Sequence, residues 1–493
     1  MDQPKETGTA TPAEFRLADW LVQPSLNRVS CSDRVVQLEP KLMDVLVFLA
    51  ANAGQVVSKN DITDAVWSDV FITESVITRS IAGLRRAFGD DVRNPRFIET
   101  ISKRGYRLIA DVAVEEPSRP APPGAAPPES AATVRAAAAA LPYVIGQWVR
   151  GEKFYGREAA VHEVLRGNRN WLWLLGTRRI GKTSLLKQLE LMAASTPDLG
   201  YVPVFWDLQG ADRPEELHLD FADALLDAEA HLQRAGIPVT DVQSEDCFES
   251  LARLRRALLS KGLRLLLLCD EVEELINLNR QDPSLLRKLR RALQSREGIR
   301  SVLASSSRLW QLADAGEDTS PFLDGFTPPL AIGPLDANAA RALILQTQLP
   351  EASRPDVGEP EIERIRELCG DHPYLIQMLC RHVLDRGDLD EAAEAVHNDR
   401  AVAFFFSVDL DLISDTERAI LVELATTPTT PPKSPHDAES EGSTERRTSL
   451  ANLVTLGLVR KDPAGRHDVG NEFLRRWLVE FPARPQNSAG ATP

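Results

Sequence analysis

Cysteine is scarce and unpatterned. The five in 493 residues stand at positions 31, 247, 269, 369 and 380 with no CxxC among them, which argues against a zinc site or a disulfide framework and fits reduced thiols. Long apolar runs are missing too. The longest strongly aliphatic stretch is 265–269, far short of the roughly 18–20 residues that a membrane helix needs. The N-terminal MDQPKETGTATPAEF lacks the apolar centre of a signal peptide, and no repeat with a period of 20–50 residues is visible. Positive charge is in deficit: 57 Lys and Arg against 72 Asp and Glu give −15, which argues against a chain coated in basic charge for nucleic acid or anionic lipid. What remains is 43% hydrophobic and 26% charged, the composition of a globular chain. The expectation is a cytoplasmic protein without a membrane segment, of about three domains at roughly 100–200 residues each.

Proline marks the first division. Residues 115–130 hold six prolines and lead into an alanine-rich run to position 140, a spacer with almost no core-forming side chains. A second polar tract, residues 426–443, is flanked by periodic apolar sequence and reads as a long loop inside a small domain.

Ahead of the spacer, Leu42, Val45, Leu46 and Leu49 form one stripe of a helix over 40–51. Ser58 to Asp61 resembles a capping box and opens a second helix through Trp67. A third helix is expected from Thr73 to Phe88, with Ile77, Ile81, Leu84 and Phe88 on one face and Ser75, Arg79, Ala82 and Arg86 on the other. A face with two arginines and no acid suits a major groove. Residues 97–101 and 106–109 alternate as two strands around the basic turn Lys103-Arg104-Gly105. From Thr73 to Arg107 there are eight Lys and Arg and four Asp and Glu, so this segment is positive in an acidic chain. The candidate contacts to double-stranded DNA are Ser75, Thr78, Arg79, Arg85 and Arg86 on the helix, and Lys103 and Arg104 at the turn.

LEPKLMDVLVFLAANAGQVVSKNDITDAVW, SVITRSIAGLRRAFGDD, RNPRFIETI and RGYRL resemble the OmpR/PhoB class of winged-helix output domains over about residues 14–110. The resemblance implies a recognition helix at 73–88 in the major groove, a hairpin tip at Lys103–Arg104 in the minor groove, and binding as tandem or paired copies. The sequence departs from that class in that no phospho-acceptor receiver domain is expected before this head and no membrane helix after it, so its controlling signal is expected from the body.

In the body, the strand-like WLWLL at 171–175 runs into Gly176-Thr177-Arg178-Arg179-Ile180-Gly181-Lys182-Thr183 and then a helical pattern from Ser184. This is GxxxxGK[ST] in a strand–loop–helix setting, where backbone N–H groups and a helix N-terminus cradle phosphate. Lys182 is expected on the β- and γ-phosphates of ATP and the Thr183 hydroxyl on Mg2+. A second strand is expected at 201–208. The apolar run 263–269 ends in Asp270-Glu271, with Asp270 for the metal and Glu271 to polarise a hydrolytic water. Glu273 and Glu274 are expected to be solvated. A strand at 301–305 precedes Arg308, the candidate sensor of the terminal phosphate.

FYGRE, LLGTRRIGKTSLL, VPVFWDLQG, LLLLCDEVEEL, IGPLD and GDHPYLIQMLC together resemble STAND-type NTPases, a branch of the AAA+-related P-loop ATPases, over about residues 142–480. The resemblance implies that Phe154, Tyr155, Gly156 and Arg157 lie beside adenine and that His372-Pro373 belongs to a helical lid. It also implies a second winged helix, from helices at 414–425 and 449–459, a hairpin at 460–468 and a last helix at 473–481. In this motif set His467 matches a histidine that touches nucleotide in some relatives. Members of this family typically continue into sensing repeats, and none is expected in the short stretch after the last helix.

The expected architecture is thus multidomain. It comprises an α+β winged helix at 14–112, a linker at 113–141, an α/β P-loop core with a parallel sheet at 142–335, a lid at 336–403, a C-terminal winged helix at 404–482 and a disordered tail at 483–493. Three functions fit it. One is a transcription regulator whose DNA-binding head is switched by slow ATP turnover and nucleotide-dependent self-assembly, with RNA polymerase or another protein as partner. Another is a DNA-tethered ATPase that remodels or loads a partner. The third is a nucleotide-bound scaffold without hydrolysis, against which the intact Lys182, Thr183, Asp270 and Glu271 weigh.

Overall fold

A computed structural model describes residues 15–24, 28–31, 34–38, 40–66, 74–90, 95–101, 105–110, 112–114, 142–211, 213–295, 297–312, 322–426, 444–462 and 465–481. The chain forms two compact units, Met1–Ala139 and Ala140–Pro493.

The first unit opens with four short strands, β1 (Phe15–Leu17), β2 (Trp20–Gln23), β3 (Arg28–Cys31) and β4 (Arg34–Gln37). Helices α1 (Pro40–Ala51), α2 (Lys59–Val66) and α3 (Glu74–Phe88) follow. Strand β5 (Val56–Val57) precedes α2, and β6 (Ile98–Ile101), β7 (Gly105–Leu108) and β8 (Val112–Val114) come after α3. The first sheet is antiparallel in the order β4-β3-β2-β1-β8, and the second runs β5-β7-β6. Because β8 pairs with β1, the head extends through Val114, beyond the boundary expected at 112.

Local chemistry explains the helix starts. Ser58 and Asp61 bond reciprocally: the Asp61 amide donates to Ser58 Oγ at 3.1 Å and the Ser58 amide to Asp61 Oδ2 at 3.0 Å, a capping box with aspartate in the third position. Ile77, Ile81, Leu84 and Phe88 are all buried, packing α3 onto a core shared with Leu46, Leu49 and Tyr106.

The second unit is built on β9 (Trp171–Leu175), β10 (Tyr201–Asp207), β11 (Arg264–Asp270), β12 (Ile299–Ser305) and β13 (Leu330–Ala331). All pair in parallel in the order β10-β11-β12-β9-β13. Parallel strands need crossovers and are covered on both faces, which is why β9 and β11 read as near-continuous apolar runs. Their register brings Asp207 beside Asp270 and Leu175 beside Ser305, so polar residues gather at the carboxyl edge of the sheet. In open α/β sheets ligands bind at that edge.

Helices at Ala337–Leu345, Glu359–Cys369, Pro373–Arg386 and Leu389–His397 follow the sheet. A continuous helix, Arg400–Asp411, then spans the expected boundary at 403/404. The last elements are helices Asp415–Thr426 and Thr444–Thr455, the antiparallel pair β14 (Val459–Lys461) and β15 (His467–Val469), and helix Glu472–Glu480. The helix expected at 449–459 therefore starts and stops earlier, and Val459 begins a strand. No helix among the described residues is long and apolar enough to cross a membrane.

Candidate functional site

Residues 176–181 leave β9 and turn into helix Lys182–Ser195, the strand–loop–helix geometry of a phosphate loop. At Gly181, φ is +100°; a Cβ there would meet nothing within 4 Å, so the dihedral rather than crowding demands glycine. Arg179 also takes a left-handed conformation, and its guanidinium lies 4.5 Å from the centre of the Tyr374 ring. Thr177 and Ile180 are buried, whereas Arg178 and Arg179 are exposed. Lys182 folds back over the loop, its Nζ donating to the carbonyls of Gly176 and Thr177 at 3.1 and 3.0 Å. Ser184 Oγ accepts from the Val149 amide, tying the helix to the segment before the core.

The two acids sit where expected. Thr183 Oγ1 donates to Asp270 Oδ2 at 2.6 Å, and the Glu271 amide donates to Asp270 Oδ1 at 3.1 Å. Glu271 has φ +50°, a left-handed conformation unusual for a side chain of this size. Burial raises both carboxyls above their ordinary range; Asp207 adds to the effect at Asp270, and Glu273 and Asp270 add to it at Glu271. Glu273 is not solvated as expected. Its Oε1 accepts from the Ser306 amide at 3.2 Å, and its Oε2 is buried without a partner. Ser306 Oγ is likewise buried and unpartnered.

One acid was not anticipated. Asp409, on helix Arg400–Asp411, is 3% exposed and its Oδ1 accepts from the Arg178 amide in the loop at 3.1 Å. Its other oxygen has no partner, and burial pushes the carboxyl up to about 7. The spacing of Val402, Phe405, Phe406 and Asp409 marks one buried helical ridge; an acid in such a ridge is the only signal the sequence offers.

The flanking candidates divide. Arg157 donates to the carbonyls of Ile180, Gly333 and Pro334, so it clamps the loop to the segment after β13; burial lowers its guanidinium to about 10. Tyr155 is buried and accepts from the Gln348 amide, while the Phe154 carbonyl accepts from the Gln348 side chain. Gly156 lies where a Cβ would come within 2.6 Å of Ala339 Cβ. Pro373 begins helix Pro373–Arg386, and His372 before it is buried with neither ring nitrogen partnered. Arg308 is exposed on the turn Ser307–Leu312 after β12. His467 is half-buried on β15, where Asp468 binds Arg460 and Arg475.

A threonine hydroxyl bonded to a carboxylate, beside an ammonium group and a glycine loop at a helix N-terminus, is a donor set suited to a phosphate carrying a hard divalent cation. The unpartnered Ser306, Glu273 and Asp409 atoms, on residues bonded to or bordering this loop and turn, add polar capacity that the protein itself does not use.

In the first unit, Ser75, Thr78 and Arg79 belong to α3 but their side chains lie outside the described residues, as do Lys103 and Arg104 entirely. Arg86 is exposed. Arg85 corrects the expectation of a DNA contact: it is 8% exposed, and its Nη2 donates to the Ile98 carbonyl at 2.9 Å and to Thr100 Oγ1 at 2.8 Å. It fastens α3 to the hairpin because it falls next to Leu84 and Phe88 on the inward side. Asp90 does the same from the helix end, accepting from the amides of Arg96, Phe97 and Ile98.

Three helices and a three-stranded antiparallel sheet behind a short leading sheet define the first unit as a winged-helix domain of the OmpR/PhoB type. Residues 33–108 match the family described as "Transcriptional regulatory protein, C terminal". Over 98 residues the chain is 43% identical to the transcriptional activator CadC of Escherichia coli, covering 20% of this chain and 19% of that one. Over 91 residues it is 42% identical to the transcriptional regulator HilA of Salmonella typhimurium, covering 18% and 16%. The chain thus spans less than a fifth of the length of these relatives. Among solved structures, a Walker-type ATPase of Pyrococcus abyssi is similar at 18% identity over 67% of this chain and 98% of that one, with a TM-score of 0.49.

Proposed function

We propose that this protein is a DNA-binding transcription regulator whose winged-helix head is governed by ATP at the phosphate loop of the second unit. The observation that carries the reading is the union, in one chain, of a head matching transcriptional regulators over 33–108 with a Thr183–Asp270 hydrogen bond beneath a glycine loop. In the head, the α3 residues Ser75, Thr78, Arg79 and Arg86 read the major groove of double-stranded DNA, and Lys103 and Arg104 reach the backbone or the minor groove. In the body, the amides of 176–184 and Lys182 hold the phosphates, with Phe154 to Arg157 and Pro373 flanking the base.

Thr183 and Asp270 would hold Mg2+, which neutralises phosphate charge when bound. Glu271 would accept the proton of an attacking water, and Arg308 would report on the terminal phosphate. Residues 336–403 act as a lid, and residues 404–482 are read as a second winged helix packed on it. Slow turnover then makes the site a switch, in which the ATP-bound form self-assembles and presents several heads to tandem sites. Such linkage raises affinity without new base contacts.

The test is genome-wide mapping of bound DNA with wild type, Lys182→Ala and Glu271→Gln. Lys182→Ala is expected to lose site-specific occupancy and Glu271→Gln to retain or raise it. Equal maps for all three would sink the switch. Rapid turnover stimulated by a partner protein, with unchanged maps, would favour a DNA-tethered remodelling ATPase instead.

A further inference from the structure

Asp409 stands in a core ridge where an apolar side chain would pack without electrostatic cost. A buried carboxylate with one oxygen unbonded is expensive, and its placement against the phosphate loop gives that expense a use. Its Oδ1 takes the Arg178 amide, one of the N–H donors the loop offers to an anion, and Lys182 and Arg178 are the cations that act on it. Its helix is held to the loop's surroundings by aromatic contacts. Phe405 packs on His372 at 5.4 Å and on Tyr374 at 5.9 Å, and Tyr374 carries Arg179 of the loop on its face. The helix also reaches the C-terminal elements, since Phe406 lies 6.5 Å from Trp477 of helix Glu472–Glu480.

We propose that Asp409 is an internal carboxyl group seated on an amide of the phosphate loop, which an incoming nucleotide phosphate must displace, so that nucleotide binding releases helix Arg400–Asp411 and the C-terminal elements packed on it. This rests on the reading that the loop binds nucleotide. The seat is poor enough to be vacated. Burial drives the carboxyl to about 7 in spite of the loop amide and two nearby cations, so desolvation outweighs their attraction. A nucleotide pays for the displacement in apparent affinity, because only the fraction of molecules with the loop clear can bind.

The test is titration of the full chain with the non-hydrolysable probe AMPPNP and Mg2+, in wild type, Asp409→Asn and Asp409→Ala, each first checked by thermal melting without nucleotide. Both variants are expected to bind about tenfold more tightly than wild type. Hydrogen exchange of residues 400–411 is expected to rise in wild type when AMPPNP binds. Unchanged or weaker binding by a folded Asp409→Asn, or unchanged exchange in wild type on binding, overturns the proposal. Lys182→Ala separates the two levels of failure. If it abolishes binding while Asp409→Asn changes nothing, only the displacement is wrong. If neither wild type nor Asp409→Asn binds AMPPNP, the nucleotide reading falls and the displacement with it.

Discussion

The Thr183 hydroxyl hydrogen-bonds Oδ2 of Asp270 at 2.6 Å, joining the first turn of the helix after the glycine loop to the carboxyl end of β11. On the proposed function this pair would hold a divalent cation between loop and sheet, the carboxylate supplying the charge that the hydroxyl lacks. Asp270→Asn keeps the shape and removes the charge. The Mg2+-dependent part of nucleotide affinity is expected to fall at least roughly tenfold, read by titration with Mg2+ and with EDTA. The same Mg2+ dependence in wild type and variant would contradict the assignment.

Arg85 and Arg86 are neighbours, one buried against the hairpin and one exposed. Arg85→Met should destabilise the first unit by about 1–3 kcal/mol, because the Ile98 carbonyl and Thr100 hydroxyl lose a buried donor. Arg86→Ala should leave the melting temperature near wild type and lower the salt dependence of DNA binding. Chemical denaturation and binding at several salt concentrations decide this; an unaltered stability for Arg85→Met would place that side chain elsewhere.

Gly105 begins β7 with φ +128°, and a Cβ there would lie 1.9 Å from the Val57 carbonyl oxygen. The backbone of β5 cannot retreat without breaking its pairing with β7. Gly105→Ala is expected to cost on the order of 3 kcal/mol or more and to unfold much of the hairpin. A circular-dichroism melt matching wild type would refute the close approach.

His372 gives the second unit an acid-sensitive element. Burial, with Arg157 and Arg179 nearby, lowers its imidazole to about 3. A folded-state value below the unfolded value of about 6.5 means that the unfolded chain takes up the proton first as pH falls. The stability from keeping this ring neutral is therefore complete above about pH 6.5 and is lost progressively toward pH 3. The melting temperature of wild type should fall relative to His372→Phe across that interval and run parallel to it above. Parallel curves from pH 7 to 4 would show that the ring titrates normally.

Much of the site was legible because its determinants are contiguous. The loop 176–183 carries its own glycines, lysine and threonine, and β9 and β11 are runs of apolar residues bounded by polar ones. The helices of the head were equally plain, since α1 shows an apolar stripe over about two turns and α3 over about three. The leading sheet was not, because strands of three and four residues such as β1 and β3 hold too few positions for alternation to register. Asp207 escaped notice for a different reason. Only the parallel register of β10 and β11 sets it beside Asp270.

The net charge of −15 proved an average over parts with different tasks, since the segment 73–107 is positive within it. By itself the sequence determined the glycine loop between β9 and its helix, the acid pair at the end of β11 and the winged-helix pattern, all fixed by local spacing. Tertiary structure decided which charges face inward. It buried Arg85 against the hairpin, made Arg157 a clamp on the loop and Glu273 a partner of Ser306, and brought Asp409 to Arg178 from 231 residues away. Periodicity reports the face of an element. What that face meets depends on how distant elements close around a common core, and that is not written in any one segment.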